Sequence, residues 1–162
     1  MTEDTLKDLK EKFEAEKKKL GFSSSFEELD EIFYVKDAIM EKGFVSEEFS
    51  RQLCGRIVET YQGWAAYLHS LIMPNPQNLL NMGESKIFNN DEKTKITNLM
   101  KIAMEISSRN SWIGLAKDVG EEKNFIDDSV NVWKEKFGEE LTEIMKKVNK
   151  EWKEEADEEV AE

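Results

Sequence analysis

From Thr60 to Gly83 the chain carries no formal charge at pH 7 with His69 neutral, although 36% of the whole sequence is charged. The wider segment FSRQLCGRIVETYQGWAAYLHSLIMPNPQNLLNM, residues 49–82, holds the only cysteine, the only histidine, both prolines and two of the three arginines. Exposing so much apolar surface is unfavourable, so the rest of the chain has to be arranged around this stretch. Phe49, Leu53, Ile57, Tyr61, Trp64, Ala65, Leu68, Leu71 and Ile72 recur at helical spacing and cover about half of a helical wheel. That width predicts a central helix packed on several sides. Ser46 is its expected cap, with Glu47 and Glu48 in the first turn, and Pro74 prevents continuation beyond Met73. Gly55 and Gly63 fall on the narrow polar side. Close approach of a helix or ligand would explain them, and so would simple tolerance. Asn75 and Pro76 read as a cap and a first helical residue, giving a short helix near 76–82 that lays Leu79, Leu80 and Met82 over the core.

The flanking segments are helical by the same test. Residues 3–20 carry a thin stripe of Leu6, Leu9, Phe13 and Leu20, enough to dock on one neighbour, and Gly21 ends them. Ser25 with Glu28 forms a capping box for a second helix, whose apolar positions run from Phe26 to Met40, with Gly43 as its stop. Asn90 is the expected cap of a fourth helix bearing Ile96, Leu99, Met100, Ala103, Ile106 and Ile113, ending at Gly120. A fifth helix begins between Glu121 and Asn124. Its stripe of Ile126, Val130, Trp133, Phe137, Leu141, Ile144, Met145, Val148 and Trp152 steps by threes and fours straight through Gly138, so one long helix, bent at the glycine if at all, is favoured over two. The acidic end should fray. The expectation is a single all-α bundle over residues 1–155, with about five major helices, the short helix near 76–82 and a long C-terminal helix, followed by a disordered acidic tail at 156–162.

A chain of 162 residues is one domain by size and buries a core without metal or disulfide. Its net charge of −12 disfavours phosphate backbones and anionic membranes and favours basic partners, although solubility alone would also explain it. The lysines at 17–19 and near Lys146 are too interspersed with glutamate to form a sustained basic face, so nucleic acid is not an expected partner. No segment is apolar enough to span a bilayer and no apolar signal segment follows Met1, so a cytoplasmic protein is expected.

Most catalytic chemistry lacks its residues. There is no glycine-rich phosphate loop and no nucleophile elbow. One histidine and one cysteine cannot build a Cys/His zinc cluster or a di-iron carboxylate site, so no cofactor is expected. Cys54 and His69, on one helix, would stand about 22 Å apart, too far for a dyad. Cys54 within an apolar pattern reads as a small buried hydrophobe.

What remains is polar chemistry beside apolar faces. Arg109 and Asn110 fall within the inward arc of the fourth helix, followed by Trp112. They are either a buried ion pair and a backbone-satisfying amide, or part of a pocket or interface hot spot. Arg56 borders the apolar arc of the central helix, with Arg51 on its polar side. Salt bridges are the default for both, and an anionic ligand is the alternative. His69 sits just past the apolar boundary near Tyr61, Trp64 and Tyr67. Val148 and Trp152 extend the terminal stripe towards a partner groove, self-association or the core. Two functions follow. One is a non-enzymatic interaction module (adaptor, regulator or inhibitor-like) that engages another macromolecule, a basic protein being the fitting partner. The other is a small-molecule binder or enzyme with an anionic-ligand pocket between the third and fourth helices, built from Arg56, Tyr61, Trp64, His69, Arg109 and Asn110. The second requires those groups to converge.

Overall fold

The computed structural model describes residues 2–161, and the side chains of residues 3–158. Among them it is 85% helical with no strands, an all-α bundle. The helices are α1 (Thr2–Leu20), α2 (Phe26–Phe33), α3 (Val35–Lys42), α4 (Phe49–Ile72), α5 (Leu79–Ser85), α6 (Asn90–Ala116), α7 (Val119–Val132) and α8 (Gly138–Ala161). A π-helical turn, Trp133–Phe137, joins α7 to α8 without a break. The C-terminal helix is therefore one long element.

The central helix is where the charge-poor stretch demands it. Phe49, Leu53, Ile57, Tyr61, Leu68 and Leu71 of α4 are buried. Its main partner is α6, which runs antiparallel, so that Arg51 near the start of α4 reaches Asn110 near the end of α6. Two aromatic clusters flank this pair. Tyr61 meets Phe33, Trp133 and Phe137 at ring-centroid distances of 5.9, 5.8 and 5.0 Å. Phe13 of α1 meets Phe22, Phe26 and Phe49 edge to face at 5.5, 5.3 and 6.4 Å. The narrow stripe of α1 thus docks through Leu9 and Phe13, both fully buried. The turn after α1 is fastened to α7. The Asp127 carboxylate accepts the backbone N–H groups of Ser23 and Ser24 and the Ser24 hydroxyl. Lys134 donates to Glu28, and this hydrogen bond holds the Glu28 carboxyl below its usual range while tying α2 to the π turn.

Several boundaries differ from the sequence expectation. The Ser25–Glu28 capping box is present, and Gly43 closes the segment in the left-handed region at φ 78°. Between them, however, one expected helix is two. Tyr34 takes φ 54°, its N–H closing on the Asp30 carbonyl, while the Asp30 side chain accepts the N–H of Lys36. The apolar period runs through this kink because Phe33 and Val35 are buried on either side of it. Ser46 does not cap α4. Its hydroxyl accepts from the N–H of Glu48, and the helix starts at Phe49. Asn89, one residue before the expected cap, forms a capping box with Glu92 at the head of α6. The end of α6 comes at Ala116, not Gly120. Lys117 adopts φ 54°, with its N–H on Gly114 O and that of Asp118 on Ile113 O, a Schellman closure made without glycine. Gly120 lies inside α7.

The short helix is displaced furthest. Asn78 is its cap, accepting from Leu80 N–H and Asn81 N–H, so α5 begins three residues after Pro76. The inward face turns accordingly. Ser85 is buried and donates to Leu71 O at 2.7 Å, while Leu79 and Leu80 are 86% and 64% exposed and do not cover the core. Helix α8 is helical through Ala161, across the segment expected to be a frayed tail from 156.

Gly138 explains the π turn. Its N–H bonds to Trp133 O, and a Cβ there would stand 2.7 Å from Trp133 Nε1 and 3.0 Å from Trp133 O. The indole cannot yield, because Phe33, Tyr61 and Phe137 pack around it. Overpacking of this kind costs about 1–3 kcal/mol, partly offset by the gain of about 1 kcal/mol in helix propensity. Gly138→Ala should therefore lower stability to urea by up to about 2 kcal/mol and alter tryptophan emission. A variant as stable as the parent with the same emission spectrum would show that the indole does not need the missing Cβ.

Candidate functional site

The six residues expected to share a pocket lie apart. Arg56 donates from Nε to Phe33 O at 2.6 Å, closing the end of α2, and pairs with Glu59 at 3.2 Å. Tyr61 is fully buried and donates to Ser129 O at 2.6 Å, and its burial raises the phenol well above its usual pKa. Trp64 is half-buried, edge to face with Tyr67. His69 is exposed on the last turn of α4. Arg109 reaches α7, pairing with Asp128 at 2.9 Å and more loosely with Glu121 at 3.8 Å. Asn110 turns the other way and accepts from Arg51 Nη2 at 2.9 Å. None of the six hydrogen-bonds or ion-pairs with another of them among the described residues. The arginines are joints between helices, and the polar groups do not converge as an anionic-ligand pocket between α4 and α6 would need.

Arg51, expected on the polar side of α4, is instead partly buried against α6. Its guanidinium lies over Gly114, where a Cβ would come within 2.8 Å of Nη2. Arg51 Nη1 and Glu122 Oε2 are both buried without a hydrogen-bond partner among the described residues. Beside them the Cys54 thiol is pushed up to about 12, first by burial and then by the Glu122 charge, with Arg51 opposing. A thiol held protonated in this way is not a nucleophile at neutral pH.

The terminal stripe is also engaged within the chain. Val148 is buried. The Trp152 ring lies against Gly83, and its Nε1 donates to Glu84 Oε2 at 3.2 Å, the oxygen that also accepts from the Tyr67 hydroxyl at 3.2 Å. Glu84 thus bridges α4 and α8, and Val148 is closed to any partner.

The open feature is a groove between α6 and the C-terminal helix. One part encloses about 570 Å³ over Phe88, Ile96 and Ile144. A second, of about 450 Å³, lies over Ile102 and Val132, and the two parts share Glu135 and Lys136 of the π turn. The larger part is rimmed by five glutamates and three lysines. Lys147 is not free, since it pairs with Glu92 and sits 5.2 Å over the Phe88 ring. Its hydrogen bond is the main reason the Glu92 carboxyl lies below its usual range, with the Asn89 N–H second. Glu135, Glu139 and Glu140 form no ion pair among the described residues, and Glu135, Glu139 and Glu143 follow at four-residue steps along the wall, about 6 Å apart.

The groove was hidden in the sequence. Ile96 and Ile144 read as core, and they are, Ile96 wholly buried and Ile144 packed partly buried against it, while Phe88 lies in the expected loop and is buried there. Ile102 alone gave a signal, because it lies off the inward arc of its helix. No group of three or more His, Cys, Asp or Glu side chains that could hold a metal occurs among the described residues. No described helix is long and apolar enough to cross a membrane. No protein-family model matches the chain, and no curated protein or solved structure is significantly similar to it.

Proposed function

We propose that the protein is a non-enzymatic interaction module, an adaptor or regulator that holds a basic amphipathic helix of another protein in the groove between α6 and the C-terminal helix. The observation that carries this reading is the combination of an apolar floor with an acidic wall. The floor offers the partly buried Ile102 and Ile144, seated on the core around Ile96, to the apolar side of a helix. The glutamates at four-residue steps suit lysines or arginines on consecutive turns of the occupant. The net charge of −12 would speed the encounter with such a partner. The reading places the protein in the cytoplasm, a compartment that suits one unpaired thiol.

The test is affinity capture from the native cell extract with the parent chain and with Ile144→Asp and Glu139→Lys/Glu143→Lys. Ile144 is only partly buried, so the first variant should stay folded. Loss of one central apolar contact costs about 2 kcal/mol or more at a hot spot, roughly thirty-fold in affinity. Both variants should lose the partner while keeping parental helicity. A partner retained equally by all three baits would overturn the reading.

A further inference from the structure

We infer that the two walls of the groove, being of opposite charge, fix the direction in which the occupant helix runs. The occupant carries basic residues on the flank that meets the C-terminal helix and acidic residues on the flank that meets α6. This rests on the groove reading above and adds to it the occupant's second flank and its polarity.

The two walls run antiparallel. Lys147 meets Glu92 at one end of the groove, and Val132 lies with Ile102 and Glu105 at the other. The Glu92–Lys147 pair joins the walls and cancels its own charge. With that pair set aside, the signs are segregated by helix. The C-terminal helix brings Glu135, Glu139, Glu140 and Glu143 against Lys136, a net of −3. The α6 wall brings Lys95 and Lys101 against Glu105, a net of +1. Lys95 and Lys101 are exposed and form no ion pair among the described residues, so both are open to an occupant. Glu143 has Lys146 at 3.5 Å, but both side chains are more than two-thirds exposed, and such a pair exchanges at little cost.

An amphipathic helix lays its apolar stripe on the floor and turns one flank to each wall. Turning the helix end for end exchanges its flanks. A helix basic on both flanks therefore meets Lys95 and Lys101 with like charge in either direction. A helix with one basic and one acidic flank satisfies both walls in one direction only. The dipoles of the antiparallel walls oppose each other, which leaves side-chain charge to decide. From Glu92 to Glu105 the α6 wall is about 20 Å long, room for three to four turns of an occupant.

The test uses three synthetic peptides of about 14 residues with one leucine stripe. The first has lysine on one flank and glutamate on the other, the second has these flanks exchanged, and the third has lysine on both. Each carries a nitroxide at its N-terminus. Broadening of the parent chain's amide signals is read at about 0.15 M salt, where the long-range pull of the net charge is screened. The first peptide should broaden one end of the groove, either Glu92 and Lys147 or Glu105 and Val132, and the second should broaden the opposite end. The third should broaden both ends and bind about fivefold more weakly than the first. Lys95→Glu/Lys101→Glu, changed at exposed positions, should make the third the tightest binder. If the first two peptides broaden the same end, or the third binds the parent as tightly as the first, the walls do not read the flanks and the inference falls while the groove stands. If no peptide shifts a groove amide, the groove reading falls and takes the inference with it.

Discussion

Tyr61→Ala should lower the unfolding free energy by about 3–5 kcal/mol, a large part of what a domain of this size has. The ring is wholly buried among Phe33 of α2 and Trp133 and Phe137 of the π turn. Removing it leaves a cavity at the point where α2, α4 and the π turn meet, and rigid aromatic neighbours collapse poorly into such a space. Tyr61→Phe keeps the ring and loses only the hydrogen bond to Ser129 O. That carbonyl keeps the N–H of Trp133 as a partner, so the loss should be about 0.5–1.5 kcal/mol. Urea unfolding of both variants separates packing from hydrogen bonding. If the two cost the same, the hydroxyl and not the ring holds the junction.

Phe13→Ala should cost a similar amount, about 3–5 kcal/mol, at the other cluster. Its consequence is more local. Helix α1 presents a thin apolar stripe, and Phe13 with Leu9 supplies its fully buried contacts. Once the ring is gone, Phe22, Phe26 and Phe49 lose their shared neighbour and α1 loses its anchor. Limited proteolysis should then cut within residues 2–20 while α4 and α6 stay protected, because local opening becomes cheaper than global unfolding. A variant that loses under 1 kcal/mol, or that opens everywhere at once, would mean that α1 is held by other contacts.

The sequence conveyed the helices better than their junctions. Periodicity identified α4 as the spine, because a helix apolar over half its circumference has to be surrounded. Capping chemistry located the start of α2 at Ser25 and the end of α3 at Gly43. What escaped were places where a backbone event is compatible with an unbroken apolar period. Tyr34 breaks a helix whose stripe continues on both sides. The π turn absorbs its irregularity inside a run of threes and fours, and Gly138 is visible in the sequence only as a glycine. Leu79 and Leu80 looked inward because the cap was placed at Asn75, and moving it to Asn78 turns them out to solvent.

The polar residues divide in the same way. That Arg109 and Asn110 sit on the inward arc could be read from spacing alone. That they reach in opposite directions, to Asp128 and to Arg51, depends on helices distant in sequence. The groove depends on the angle between α6 and the C-terminal helix, which no local pattern encodes. The exposed apolar face of α6 was half legible. Trp112 stood out as an interface type, while Met104 and Leu115 acquire meaning only once their face is known to lie outside.

The most direct test of the groove is amide chemical-shift mapping during titration with a lysine-rich amphipathic helical peptide. The largest shifts should fall on Ile96, Ile102, Glu139 and Ile144 and weaken as salt is raised. Shifts confined to α1–α3, or none at the groove at saturating peptide, would contradict the account.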